Sequence, residues 1–183
     1  MEIKRIINLC KKNGCLILYE HDGGQWISDG FALFPLTNLP HFDAESICRT
    51  YDISEKKAAK MLIRHEDALP DRISVAGDVA GEMPCEFDEE LFQRLVPVQT
   101  TRGLVFIQKQ YLQPFSDAPA DMLYLFERHG PTGNLYFAVK VGFVLMGIIP
   151  PLDHVNEDFV NRIRRVCEQC EVALENKKKG EGL

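Results

Sequence analysis

The chain has 183 residues, of which 45% are hydrophobic, and a formal net charge of −6. This composition can bury a core, which excludes a disordered tail, and the acidic balance disfavours a protein that coats nucleic acid with its whole surface. Apolar runs stay below the roughly 20 residues that cross a bilayer, and charges interrupt the N-terminal segment where a secretion signal has an apolar centre. We therefore expect a cytoplasmic protein without a membrane partner.

The first unit, residues 1–38, is predicted to form one helix and three strands. Residues 3–12 carry apolar side chains at helical spacing before an Asn-Gly stop, which predicts a short amphipathic helix with a basic face. The strands are expected at 15–20, 25–28 and 31–36. An Asp-Gly pair between the last two strands predicts a tight primed turn.

The segment 39–103 has a different character and is interpreted as a helical and loop insertion. Helices are predicted at 43–51 and 54–65, the second after a Ser N-cap. Residues 66–87 are rich in Asp, Gly and Pro without a sustained period, which predicts a loop. A further short helix is expected from Phe87 to Leu95.

The second unit, residues 104–152, repeats the order of the first. A strand at 104–107 and a short helix at 108–115 are predicted to precede three more strands. These three strands cover 122–129, 134–141 and 142–151. Because the order of elements recurs, an internal duplication is the simplest interpretation.

The last segment, residues 153–183, predicts a helix from 156 to 175 and a charged tail. Cys167 and Cys170 have the spacing of half a zinc site, but no second Cys or His pair follows at the usual distance. We expect these thiols to be small buried apolar residues, and we expect no bound metal.

Sequence motifs for catalysis are absent. The five histidines are isolated, and the chain has no nucleophile elbow, phosphate-binding glycine loop or His-Glu metal motif. Asp29 is explained by turn geometry, and Trp26 is expected to pack on the sheet. The sequence therefore predicts neither an enzyme nor a cofactor.

Three segments together resemble the family of DNA sliding clamps, the processivity factors of replication. They are WISDGFALFPL (26–36), VFIQKQYLQPF (105–115) and NLYFAVKVGFVLMGIIPPLD (134–153). The resemblance implies an α+β, DNA-clamp-like fold of two βαβββ units, here with an inserted helical segment and an extra C-terminal helix in one domain, 1–183. Since clamps encircle DNA with six such domains, a ring of this one-domain chain needs six copies.

The resemblance also implies a function in DNA replication or repair, in a protein of phage or mobile-element origin. Its partners would be double-stranded DNA, replication proteins and copies of itself. The implied DNA-binding residues are the bases of the two helices that would line the ring: Lys4, Arg5, Lys11, Lys12 and Lys109. The implied pocket for polymerase-type peptides comprises Met146, Ile148, Ile149 and Pro150.

Two ordinary interpretations stand beside these assignments. Scattered lysines are common on solvated helix faces, and a buried last strand would show the same apolar residues as a peptide pocket. The alternative function is a protein-interaction or scaffold domain that keeps the clamp fold without encircling DNA.

Overall fold

A computed structural model describes residues 2–87, 94–152 and 157–180, and it shows an α+β protein with one ten-stranded sheet. The chain divides into two compact units, Met1–Pro151 and Leu152–Leu183. The helices are α1 (Ile3–Asn13), α2 (Ala44–Thr50), α3 (Glu55–Ala58) and α4 (Glu157–Gly180). The strands are β1 (Cys15–His21), β2 (Gly24–Ser28), β3 (Leu33–Pro35), β4 (Leu62–Glu66), β5 (Met83–Phe87), β6 (Leu95–Thr100), β7 (Gly103–Gln108), β8 (Leu123–His129), β9 (Leu135–Val141) and β10 (Val144–Ile149).

The strand order in the sheet is β4-β1-β2-β3-β10-β9-β8-β5-β6-β7. All neighbours are antiparallel except β1 and β4, which run parallel. The two predicted units meet where their last strands pair, with Leu33 of β3 opposite Ile148 of β10. The recurring order of elements predicts two sheets or one split sheet, and this prediction is wrong because the pairing makes one continuous sheet.

The main core lies on one face of the sheet, here called the helix face. α1 buries Ile6, Ile7 and Cys10 against the alternate strand residues that point to this face, such as Leu18 and Phe34. The helix ends at Gly14, whose φ of +67° places it in the left-handed conformation typical of a C-cap, and its N–H donates to Cys10. Helical apolar spacing thus places α1 as the sequence predicts.

A second, smaller cluster covers the opposite face of the sheet, here called the outer face. Trp26 is 8% exposed and packs there with Tyr136 and Ile148, which confirms that it lies on the sheet. Ile73 and Val75, from the long connection between β4 and β5, pack onto the same cluster.

The insertion 39–103 contains more strand than the sequence predicts. Within the predicted helix 54–65, only α3 is helical, and its second half is β4, which pairs with β1 along five residues. The predicted loop 66–87 ends in β5, whose Cys85 lies opposite Leu125 of β8. Tertiary pairing overrides local propensity in both places.

Two smaller differences concern the predicted helices at 87–95 and 108–115. The predicted helix from Phe87 to Leu95 falls largely on residues 88–93, outside the described residues, and Leu95 itself begins β6. The predicted helix 108–115 consists of two 3₁₀ turns, Lys109–Tyr111 and Gln113–Phe115, because Pro114 offers no N–H for a longer helix. These two turns are called the 3₁₀ segment below.

The two turns that join β1, β2 and β3 differ. Asp22 and Gly23, between β1 and β2, have φ values of +49° and +74°, as a tight primed turn requires. The corner after Ser28 spans residues 29–32 before β3 begins, so the predicted two-residue turn at Asp29-Gly30 is wrong. Among the described helices, none is long and apolar enough to cross a membrane.

Candidate nucleic-acid interface

α1 lies beside the 3₁₀ segment on the helix face. Arg5 Nη1 donates to the carbonyl oxygen of Gln113 at 2.9 Å, and Lys12 Nζ donates to the side-chain oxygen of Gln110. These bonds join the helical parts of the two units, which the sequence predicts to lie side by side.

The other flank of α1 contacts the end of α2. Lys11 Nζ donates to the carbonyl oxygens of Tyr51 at 2.8 Å and Asp52 at 3.5 Å. The start of β4 follows at the C-terminus of α1, where the N–H of Leu62 donates to the carbonyl oxygen of Gly14 at 2.8 Å. α2, α1 and the 3₁₀ segment thus form one surface, here called the helix layer.

All five predicted DNA-binding residues belong to this helix layer, but their surroundings differ. Lys4 and Lys12 are exposed, whereas Arg5, Lys11 and Lys109 are partly buried. Arg5 Nε lies 2.6 Å from a Glu2 carboxylate oxygen, and its Nη2 lies 3.8 Å from Asp117. Two carboxylates therefore compensate its charge, whereas the oxygens that Lys11 and Lys12 contact within the described part of the chain are neutral.

Two open grooves flank the exposed ridge of α1. A groove of 310 Å³ is lined by Lys4, Asn8 and Lys11 together with residues 50–52. A smaller groove of 180 Å³ on the other side is lined by Asn8, Lys12, Gln110 and Gln113, among others. Ammonium and amide groups donate hydrogen bonds to phosphate oxygens without distinguishing bases. This arrangement can bind a phosphate backbone.

Sequence reasoning missed the uncharged donors of these grooves. Asn8, Gln110 and Gln113 come together only because the two units pack side by side. It also missed three exposed lysines at α3, Lys56, Lys57 and Lys60, because their segment was interpreted as part of a longer ordinary helix. A count of charges along one helix gives no signal for either group.

The four predicted peptide-binding residues do not share one surface. β10 is an inner strand of the sheet, so its alternate side chains point to opposite faces. Ile148 is 3% exposed in the outer-face cluster, and Ile149 is fully buried in the helix-face core. Met146 is partly buried against the helix-face core, and Pro150 is partly buried. The structure therefore places these residues mainly in packing roles.

The outer face instead holds a buried arginine that the sequence analysis did not single out. The side chain of Arg128 is 0% exposed and lies against residues 69–82, here called the outer-face loop. Its Nε donates to Glu82 at 2.7 Å, and its two Nη atoms donate to the carbonyl oxygens of Ser74, Ala76 and Gly77 at 2.9 to 3.2 Å. The guanidinium thus fastens the outer-face loop to β8.

Lys140 continues this network on β9. Its Nζ lies 2.7 Å from Asp78 and also contacts Glu82, and it sits 4.4 Å from the centre of the Phe126 ring. Burial lowers the pKa of Lys140, but the bonds to Asp78 and Glu82 outweigh it and leave this pKa raised. The available sequence signal is confined to Lys140, which lies between Val139 and Val141 on a predicted strand, whereas Arg128 lies between Glu127 and His129.

An open groove of 510 Å³ runs beside the outer-face loop. Trp26, Pro35, Val75 and Leu145 line it together with residues of the β1–β2 turn. Its lining combines these apolar side chains with polar ones such as His21 and Asn38, and it offers space for an extended segment.

The Asp29 corner is structural. Asp29 is fully buried, and its Oδ1 accepts hydrogen bonds from the N–H groups of Phe31 and Ala32 at 3.0 and 2.9 Å. Its Oδ2 accepts from Asn13 of α1 at 2.6 Å. Burial, with the nearby Asp29 charge, raises the pKa of Tyr111 to about 12. The Asn13 bond ties the corner to α1, and Asn13 also donates to the Tyr111 hydroxyl of the 3₁₀ segment at 3.4 Å.

The cysteines give no sign of a metal centre. Within residues 2–87, 94–152 and 157–180, no three His, Cys, Asp or Glu side chains are grouped so as to hold an ion. Cys167 and Cys170 are exposed, so the prediction that they are buried apolar residues is wrong. Cys10 is buried, and burial raises the pKa of its thiol.

No family model, no curated protein sequence and no solved structure matches this chain.

Proposed function

We propose that this protein is a non-enzymatic, clamp-like protein of DNA replication or repair that holds double-stranded DNA against its helix layer. The observation that carries the proposal is the arrangement of the two units: their last strands pair, and α1 and the 3₁₀ segment lie together on one face. This arrangement supports the βαβββ duplication that the clamp resemblance implies. The exposed bases of α1 then lie where a duplex would pass.

The chemistry of the helix layer favours phosphate contacts over base readout. Its donors are lysine ammonium groups and side-chain amides in shallow grooves. A helix that reads bases must project from the protein into the major groove, whereas α1 lies packed along the sheet. We expect affinity that is independent of sequence and falls steeply with salt, because each phosphate contact releases counterions.

The sharpest test is the double variant Lys4→Gln/Lys12→Gln, measured by fluorescence anisotropy of a labelled duplex over a salt series. Arg5 and Lys11 stay unchanged because their bonds to the 3₁₀ segment and α2 contribute to folding. The slope of log affinity against log salt should fall by roughly 2, since each lost contact removes about 0.9. The matched control is Arg64→Gln/Arg102→Gln, which removes two exposed bases from β4 and from the β6–β7 turn, outside both the helix layer and α4.

Two results would contradict the proposal. One is a control that lowers the slope as much as the α1 variant, which would place DNA binding elsewhere. The other is a wild-type protein that leaves the anisotropy of the duplex unchanged even at low salt.

A protein-interaction domain is the second candidate, and two observations favour it. Carboxylates pair with Arg5 within the helix layer, and the outer-face groove beside Trp26 could take an extended peptide. Such a domain would leave duplex DNA unbound while peptide binding changes Trp26 fluorescence, so the anisotropy titration separates the two candidates.

A further inference from the structure

α4 carries an apolar stripe with the spacing of a helix that packs along another helix. Phe159, Ile163, Val166, Cys170 and Ala173 follow each other at intervals of four, three, four and three residues. This spacing keeps one seam facing a partner over almost the whole length of the helix. Val166 is 56% exposed, and Cys170 is exposed as well.

Residues beside the seam widen it on one flank only. Val160, Cys167 and Leu174 follow each other at intervals of seven, and Val160 and Leu174 are 44% and 59% exposed. A partner helix would therefore need apolar side chains along the same flank. A second copy of α4 has them: with the two helices antiparallel and centred on Cys167, Val160 meets Leu174 of the other copy.

The charges of α4 form alternating blocks. Acidic residues lie at 157–158, bases at 162–165, three glutamates between 168 and 175, and lysines at 177–179. An antiparallel copy centred on Cys167 places each acidic block beside a basic block, for example Arg164 beside Glu171. A parallel copy in register places like charges side by side. Charge complementarity therefore selects the antiparallel arrangement.

We propose that α4 is a dimerisation helix that binds α4 of a second copy of this chain in antiparallel orientation through its Phe159–Ala173 seam. The inference rests on α4 alone and is independent of DNA binding. It implies an isologous contact in which every residue pair occurs twice about a two-fold axis. One substitution on the seam therefore perturbs two sites in the dimer.

The first experiment compares Val166→Glu with Val172→Glu in the full chain by sedimentation velocity. Both valines are almost equally exposed, at 56% and 57%, but Val166 lies on the seam and Val172 on the opposite side of the helix. Wild type and Val172→Glu should sediment with about twice the chain mass of 20.8 kDa. Val166→Glu should weaken the dimer roughly hundredfold or more, because two buried charges replace two apolar contacts.

The second experiment tests the orientation. Arg164→Glu should weaken the dimer, and Arg164→Glu/Glu171→Arg should restore it, because the antiparallel pairs are then re-formed with swapped signs. In a parallel dimer, Arg164→Glu would replace one like-charge contact by another and change little. A wild-type monomer at all concentrations, equal behaviour of the two valine variants, or failure of the charge swap to restore the dimer would overturn the proposal.

Discussion

Arg128→Met should detach the outer-face loop and destabilise the protein. The substitution keeps an apolar side chain of similar length but removes every donor to Glu82 and to the carbonyl oxygens of residues 74, 76 and 77. Breaking a buried, hydrogen-bonded ion pair typically costs about 3 to 5 kcal/mol. For a chain of this size, that loss corresponds to a fall in melting temperature of roughly 6 to 20 °C.

Trp26 provides the assay because it is the only tryptophan and packs in the cluster that the outer-face loop covers. Urea unfolding followed by its fluorescence gives the free energy of unfolding, and a red shift of native emission reports departure of the loop. Trypsin cleavage after Arg72, within the loop, should accelerate in parallel. Arg128→Lys should rescue little, since one ammonium cannot replace the planar guanidinium fork.

The matched control is Arg102→Met in the exposed β6–β7 turn, which should change the free energy of unfolding by less than about 0.5 kcal/mol. If Arg128→Met changes the free energy of unfolding as little as this control does and leaves Trp26 emission unshifted, apolar packing alone holds the outer-face loop. That result would refute the reasoning.

Two further predictions concern the packing of β10 against the 3₁₀ segment and the stability of the protein in acid. Gly147→Ala should lower the free energy of unfolding by about 1 to 3 kcal/mol, because a methyl group there would lie 2.9 Å from the Phe115 ring. The control Gly77→Ala places its methyl group in open space and should leave the urea-unfolding curve nearly unchanged. Glu20 accepts hydrogen bonds from Gln25 and His65, and these bonds lower its pKa. The stabilisation by the ionised Glu20 carboxylate is therefore complete above its ordinary pKa of 4.5 and is lost as pH falls through the lower folded pKa. Glu20→Gln should be less stable than wild type near neutral pH, and this difference in unfolding free energy should shrink in acid, as urea unfolding at a series of pH values would show.

The sequence predicts the elements whose signals are local. Amphipathic spacing locates α1, and alternation and turn residues locate β1, β2 and β8–β10 to within a few residues. It fails in the insertion because β4 is an edge strand with four of its five residues largely exposed, and such a segment has no apolar alternation to recognise. The prediction of β5 fails for a similar reason: it contains Pro84 and exposed positions, and its extended conformation depends on pairing with β8 and β6.

The candidate site divides in the same way. The basic face of α1 follows directly from helical periodicity, whereas the Arg5–Glu2 and Arg5–Asp117 pairs require tertiary contacts to be known. Arg128 lies on a predicted strand, yet its partners come from a loop some fifty residues earlier in the chain. Long-range partners decide whether a base is free for a ligand or used to fold the protein, and a single sequence does not contain that information.

The two proposals together make a quantitative prediction for DNA binding. Among the described residues, three bases of one helix layer have no carboxylate within ion-pairing distance: Lys4, Lys11 and Lys12. At about 0.9 per phosphate contact, one layer gives a salt slope of roughly 3, and a dimer that engages both layers doubles it. The second layer binds at the high effective concentration set by the first. Val166→Glu leaves every base of the helix layer in place, so it should halve the slope of the wild-type dimer and weaken its affinity most at high salt. If that variant keeps the full wild-type slope while sedimenting as a monomer, the two helix layers do not bind one duplex together, and dimerisation serves another purpose.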